Sequence, residues 1–329
     1  MSRPHPLFGD PSVLEVTVPV ATLWTSPDAP RDVDSPAVLD VPDLPAWTAA
    51  MDAEVRKGLA GRTLTQLLLG EAVQVVEERG DWVRVVALMQ KSSQHASGYP
   101  GWMRRVHLGQ AVPRWRGAAA FVLTRSAALV AAGESHQVSF GTGLWVDSVG
   151  DESVRVLLPG GQAGKLSLDD VRLSHKREPV LYGPDDVLDL ARRFLGLRYL
   201  WGGTSGWGLD CSGLVHLTYR SLGVALPRDA FDQAKGAHLR PVPLDEVRPG
   251  DLYFFARSGE RVYHVGFASA PVAEDGTRQM LHAPEGGELI EDAPLAPHRV
   301  ETLVSAGRVR KPVNGRFPRH VEEHADADD

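Results

Sequence analysis

The stretch YLWGGTSGWGLDCSGLVHLTYRSLGVALPRDA, residues 199–230, decides how the rest of the chain is read. Glycines crowd its first part and end at Asp210. Beyond that point Leu214, Leu217, Tyr219 and Leu222 fall near helical spacing, so the pattern predicts a helix with Asp210 at its cap and Cys211 at its start. A helix start is not neutral for a thiol: unpaired backbone N–H groups and the positive end of the helix dipole favour the thiolate. Free cysteines otherwise rank among the most buried residue types, and a cysteine that only fills space has no use for this position.

Cys211 is the single cysteine of the 329-residue chain, which excludes an intramolecular disulfide and a thiolate-rich metal site. A thiol nucleophile needs a base, usually a histidine from elsewhere in the sequence. Of the twelve histidines, two sit in suitable contexts. His264 lies in RVYHVGFASA, an alternating strand, and His282 ends a second strand in RQMLHAPEGG. Taken singly, each also fits a satisfied structural histidine. With a helix-cap cysteine they form a Cys–His–His set, in which His264 takes the thiol proton and later protonates the leaving amine, while His282 bonds the far ring nitrogen and fixes the tautomer. Tyr199 is a candidate oxyanion donor alongside the backbone N–H of Cys211; a packed aromatic is the alternative. His216, five residues past the cysteine, is expected to face away, and His238 and His298 to lie in exposed loops. No metal or other cofactor is expected.

Three folded parts are expected. Residues 1–115 contain short alternating runs at 13–24, 71–80 and 81–89, with a Pro-rich stretch and a segment at 45–70 whose spacing suits an inserted helix. Residues 116–178 repeat the order of strands, with GDESVRVLLPGG at 150–161 echoing GDWVRVV at 80–86, so the two parts read as a tandem pair of small β-barrels. From 179 to 318 a helical pattern at 185–197, the glycine loop, a second helix and several strands describe an α+β domain. Residues 319–329 are acidic and expected to be disordered.

DCSGLV, HVGFA and LHAP, together with LPRDA and RPGDLYFF, resemble in kind and order the NlpC-type family of bacterial cell-wall cysteine peptidases, which implies a papain-like fold for 179–318. The barrel pair resembles bacterial SH3-like domains, and GYPGWM at 98–103 is similar to the Gly-Trp ending of such modules. Two barrels ahead of this catalytic domain resemble the γ-D-glutamyl-L-diamino acid endopeptidases, which cut short peptidoglycan peptides bearing a free N-terminal L-alanine. The resemblance implies that Asp210 and Ser212 hold the substrate amine, that Tyr99 closes the pocket from the first barrel, and that Trp201, Arg228 and Asp229 line it. Physically, an ammonium entering a desolvated pocket needs a fixed carboxylate. Asp210 also fits a plain N-cap, and Tyr99 a barrel-core tyrosine.

A net charge of −7, inflated by the C-terminal acids, argues against nucleic acid as a partner. No apolar run reaches the ~18 residues of a membrane helix, and no leader is evident at the start, so a cytoplasmic setting, a muropeptide substrate and no required protein partner are expected. Two rivals stand beside this reading. One is a papain-like acyltransferase or amidase; the other is a wall-binding module whose catalytic domain is incidental.

Overall fold

The computed structural model describes residues 12–112, 117–175 and 182–310, apart from 237, 286 and 287. The expected acidic tail at 319–329 lies outside the described residues.

The first part forms a seven-stranded antiparallel sheet in the spatial order 63–68, 20–24, 99–104, 82–87, 72–79, 13–16, 108–110. The expected run 13–24 is two strands, Val13–Val16 and Val20–Trp24. Pro19 supplies no N–H for a ladder, and the chain turns before it. The expected inserted helix is also divided, into Leu44–Ala49 and Ala53–Lys57. Asp52 accepts from Val55 N at 2.9 Å and so caps a new helix. The remainder of that segment, Thr63–Leu68, is strand, as its threonines on one face favour.

Residues 118–175 form a second seven-stranded sheet. Numbered within each sheet, the strands follow the same spatial order, 3-2-6-5-4-1-7, in both. The two GD-initiated motifs supply the fifth strand of each, Trp82–Ala87 and Ser153–Leu157, so the weak sequence repeat corresponds to a repeated topology.

The third part packs the helices Pro184–Arg192 and Cys211–Ser221 against a six-stranded antiparallel sheet. His264–Ala268 lies inside that sheet, paired with Leu252–Phe255 on one side and Gln279–His282 on the other. The largest apolar core is not confined to this part. Trp24, Trp47 and Leu59 of the first part and Phe140 of the second belong to the same buried cluster as Leu214, Leu217 and Phe267. Polar contacts cross the same seam: Thr204 N donates to Gln66 Oε1 at 3.1 Å, and Thr63 Oγ1 donates to Trp201 O at 2.8 Å. No helix among the described residues is long and apolar enough to cross a membrane.

Candidate active site

Cys211 is the first residue of its helix, and Asp210 caps it by accepting from Gly213 N at 2.6 Å. The turn is tight enough to require glycine at 213. A Cβ there would lie 2.1 Å from Gly203 O, a backbone atom with no room to retreat. Gly213→Ala is therefore expected to cost about 1–3 kcal/mol or more through overpacking, read as a lower urea midpoint at unchanged m-value. A wild-type midpoint would refute the close approach.

The helix start and the histidine strand meet at the sulfur, which the backbone amides of Ser212 and Val265 reach. Burial, aided by the charges of Asp210 and Glu285, nonetheless pushes the thiol up to about 12. This corrects the expectation of a resting thiolate: burial outweighs the helix start, and sulfur keeps its proton.

The strand whose Val265 amide reaches the sulfur begins with one of a pair of rings. His264 is fully buried, and its Nε2 lies 2.9 Å from His282 Nδ1. His282 Nε2 lies 3.4 Å from Glu291 Oε1. If His282 donates to Glu291, its Nδ1 accepts from His264 Nε2–H, and the lone pair of His264 is left on Nδ1. Burial lowers both rings from the usual histidine value, and His282, beside His264, falls to about 2. Both are thus neutral near pH 7. Nδ1 of His264 lies 3.0 Å from Glu285 Oε2 but is not aligned with it as a hydrogen bond. Although burial opposes its charge, Glu285 is pulled below the usual carboxylate range by His264 and Arg299. It is placed to stabilise an imidazolium once His264 gains a proton.

Cys211 opens on a cavity of about 500 Å³ lined by Tyr199, Trp201, Asp210, Ser212 and Asp229, and, from the first sheet's part of the chain, by Thr63, Leu64, Gln94 and Tyr99. Tyr199 is buried and its hydroxyl is held well above the usual tyrosine value, first by burial and then by Cys211, so it remains a proton donor. Tyr99 is buried in the first sheet and also lines the cavity, where its hydroxyl donates to Asp229 Oδ2 at 3.1 Å. Gln94 Nε2 lies 3.4 Å from the same oxygen.

Two residues sit differently from expectation. Arg228, expected to line the pocket, lies behind its wall with 1% exposure. Its Nη2 and Nη1 donate to Asp210 Oδ2 at 2.6 Å and Oδ1 at 2.9 Å, its Nη1 also reaches Ser212 Oγ at 2.9 Å, and its Nε donates to Thr65 of the first sheet at 2.8 Å. Asp210 further accepts from Gly202 N at 2.9 Å, so its charge is already matched within the protein. Asp229 differs: its hydrogen-bond partners Tyr99 and Gln94 are neutral, and burial raises its carboxyl above the usual range against the pull of the nearby Arg228 charge. Among the remaining histidines, His216 is buried with Nδ1 3.0 Å from Leu226 O, as its helix position predicts, whereas His238 is half-buried on Gln233 O rather than exposed.

The sequence analysis missed Gln94, Phe231, Arg257, Arg261, Tyr263 and Glu285, which also line the cavity. All but Tyr263 lie outside the quoted motifs or at their loop ends. Only HAPEGG carried a usable signal, a carboxylate three residues past His282. Among the described residues no group of His, Cys, Asp or Glu is arranged to hold a metal ion.

The family model of the NlpC/P60 family matches residues 196–308. Over 306 residues the chain is 35% identical to the γ-D-glutamyl-L-lysine dipeptidyl-peptidase of Bacillus cereus, covering 89% of this chain and 90% of that one. It is 34% identical over 278 residues to the protein of the same name from Bacillus subtilis, covering 83% and 90%. A crystal structure of an NlpC/P60 family protein from Bacillus cereus superposes with a TM-score of 0.83 at 33% identity, over 92% of this chain and 100% of that one. With a buried cysteine at a helix start, a buried pair of histidines in the adjacent sheet and relatives matched over nearly the whole length, the chain belongs to the NlpC/P60 family of cysteine peptidases.

Proposed function

We propose that the chain hydrolyses the γ-D-glutamyl–diamino acid bond of short peptidoglycan peptides carrying a free N-terminal L-alanine. The observation that carries this is Asp229, a half-buried carboxylate hydrogen-bonded by the neutral side chains of Tyr99 and Gln94 in the same cavity as Cys211. The neighbouring Arg228 guanidinium is bonded to Asp210 rather than to Asp229, which leaves the Asp229 carboxylate able to accept from a substrate ammonium. Asp210, which the sequence suggested for this part, keeps its place beside Asp229, with its charge spent on Arg228. The relatives' names point to the same bond. On this reading the two seven-stranded sheets are SH3-like barrels, the first over 1–115 and the second over 116–178, ahead of a papain-like domain at 179–318.

Catalysis then starts from neutral partners. As the sulfur attacks the γ-carbonyl carbon, Nδ1 of His264 takes the thiol proton. The oxyanion receives the amide of Cys211 and the hydroxyl of Tyr199. His282 holds the imidazole, and Glu285 offsets its new charge. The C–N bond breaks as His264 returns the proton to the departing amine. Water, deprotonated by the same ring, then releases the dipeptide from the thioester.

The test is mass spectrometry of products from L-Ala-γ-D-Glu-diamino acid tripeptides with free and acetylated amines. The free amine is expected to be cleaved and the acetylated one spared. Asp229→Asn is expected to lose about 100-fold in kcat/KM on the free peptide, as befits a lost charge-assisted contact. Equal cleavage of both peptides would remove amine recognition while leaving a peptidase.

A further inference from the structure

Arg56 is a cation in a costly place. It lies in the last turn of the helix Ala53–Lys57, inside the insertion of the first part, and is buried. Burial and the nearby charge of Arg198 both act against its ionised form. Among the described residues it forms no ion pair, and its three hydrogen bonds all go to backbone carbonyls. Nε donates to Met51 O at 3.2 Å and Nη2 to Thr48 O at 2.5 Å, which closes the end of the helix Leu44–Ala49, where a cation is favoured. The third bond leaves the insertion: Nη1 donates to Tyr199 O at 3.1 Å, across 143 positions of chain.

Tyr199 is the residue whose hydroxyl meets the oxyanion on the reading above. Its backbone N–H donates to Glu288 O at 2.8 Å, within the catalytic part, so the peptide units on either side of its Cα are held from different parts of the chain. The fastening continues along the segment. Thr63 Oγ1 donates to Trp201 O, Thr204 N to Gln66 Oε1, and Thr204 Oγ1 to Gln66 O at 2.9 Å. An oxyanion donor acts only at hydrogen-bond distance from the developing charge, and about 1 Å of misplacement can cost about 100-fold in rate. The ring of Tyr199 is buried, so its hydroxyl follows its backbone. We infer that Arg56 is a positioning residue for the hydrolysis, which from the first part of the chain holds the Tyr199 backbone and so aims the hydroxyl at the oxyanion. This deepens the proposed function and rests on it. The insertion then contributes to the chemical step without touching the substrate.

A double-mutant cycle on the full chain tests it, with an L-Ala-γ-D-Glu-diamino acid tripeptide as substrate and kcat and KM read separately at a temperature where circular dichroism shows each variant folded. Tyr199→Phe is expected to lower kcat by about 100-fold. Arg56→Met is expected to lower kcat by about 10- to 100-fold while KM stays within about twofold of wild type, and Arg56→Lys, which keeps a charged donor, to recover part of that loss. The variant Arg56→Met/Tyr199→Phe is expected to be no slower than Tyr199→Phe alone, because without the hydroxyl its aim no longer matters. A residue that served the fold alone would slow both backgrounds alike. Wild-type kcat in Arg56→Met, wild-type kcat in Tyr199→Phe, or losses that multiply in the double variant each overturn the inference. Should Arg56→Met not fold, the same cycle with Arg56→Lys decides: a loss in kcat confined to the background that keeps the hydroxyl supports the inference, and no loss or a multiplying one overturns it. A wild type that leaves the tripeptide intact overturns the proposed function and the inference with it, whereas cleavage with multiplying losses overturns the inference alone.

Discussion

Cys211→Ala is expected to abolish peptide hydrolysis, with a loss of at least about 10⁴-fold in kcat, because the remaining contacts bind and polarise the carbonyl without supplying a bond-forming atom. The same sulfur makes a second, less usual prediction. With its ionisation pushed up to about 12 by burial and by the charges of Asp210 and Glu285, the thiolate is populated only as pH approaches that value. Alkylation of the substrate-free enzyme by iodoacetamide should accordingly be slow at pH 7 and climb through the alkaline range. A rate already level between pH 6 and 8 would mean a preformed thiolate–imidazolium pair and would contradict the proton order proposed above. Cys211 is buried but lines the cavity, so the small reagent has a route to it.

Arg228→Met is expected to be as damaging to the fold as Cys211→Ala is to the chemistry. The guanidinium has 1% exposure, and it neutralises Asp210 while bonding Ser212 and Thr65. Removing it strands a buried carboxylate, a change that typically costs about 3–5 kcal/mol. The urea midpoint measures the loss. Adding Asp210→Asn removes the stranded charge and should recover much of it, because replacing both members of a buried pair costs far less than replacing one. A single variant within about 1 kcal/mol of wild type would mean that water reaches Asp210 and the pair is not buried in the working protein.

Much of the site was readable because short-range chemistry writes itself into short stretches. Asp210, Cys211 and Ser212 are fixed by one helix start, and His264 and His282 by two strands that are neighbours in sequence and in the sheet. The partnership of Arg228 with Asp210 was not readable, since it spans 18 positions and is closed from behind by Thr65, 163 positions away. Glu285, Arg257 and Arg261 come from loops, where spacing carries no period and only the assembled fold decides which side chains face inward. The same limit explains the first part: alternation at 13–24 marked strand correctly but could not weigh Pro19, and apolar spacing at 45–70 suggested one helix where Asp52 starts a second.

The seam between the first sheet and the catalytic part has a consequence for what the enzyme can be offered. Tyr99, Gln94 and Thr63 line the cavity from the part of the chain whose apolar core is shared with the nucleophile helix. On the proposed binding mode the cavity takes its substrate by the free amine, at Asp229. It measures inward from a chain terminus, so a stem peptide still joined to glycan has no way to thread through, and some other hydrolase must sever that linkage before this one acts.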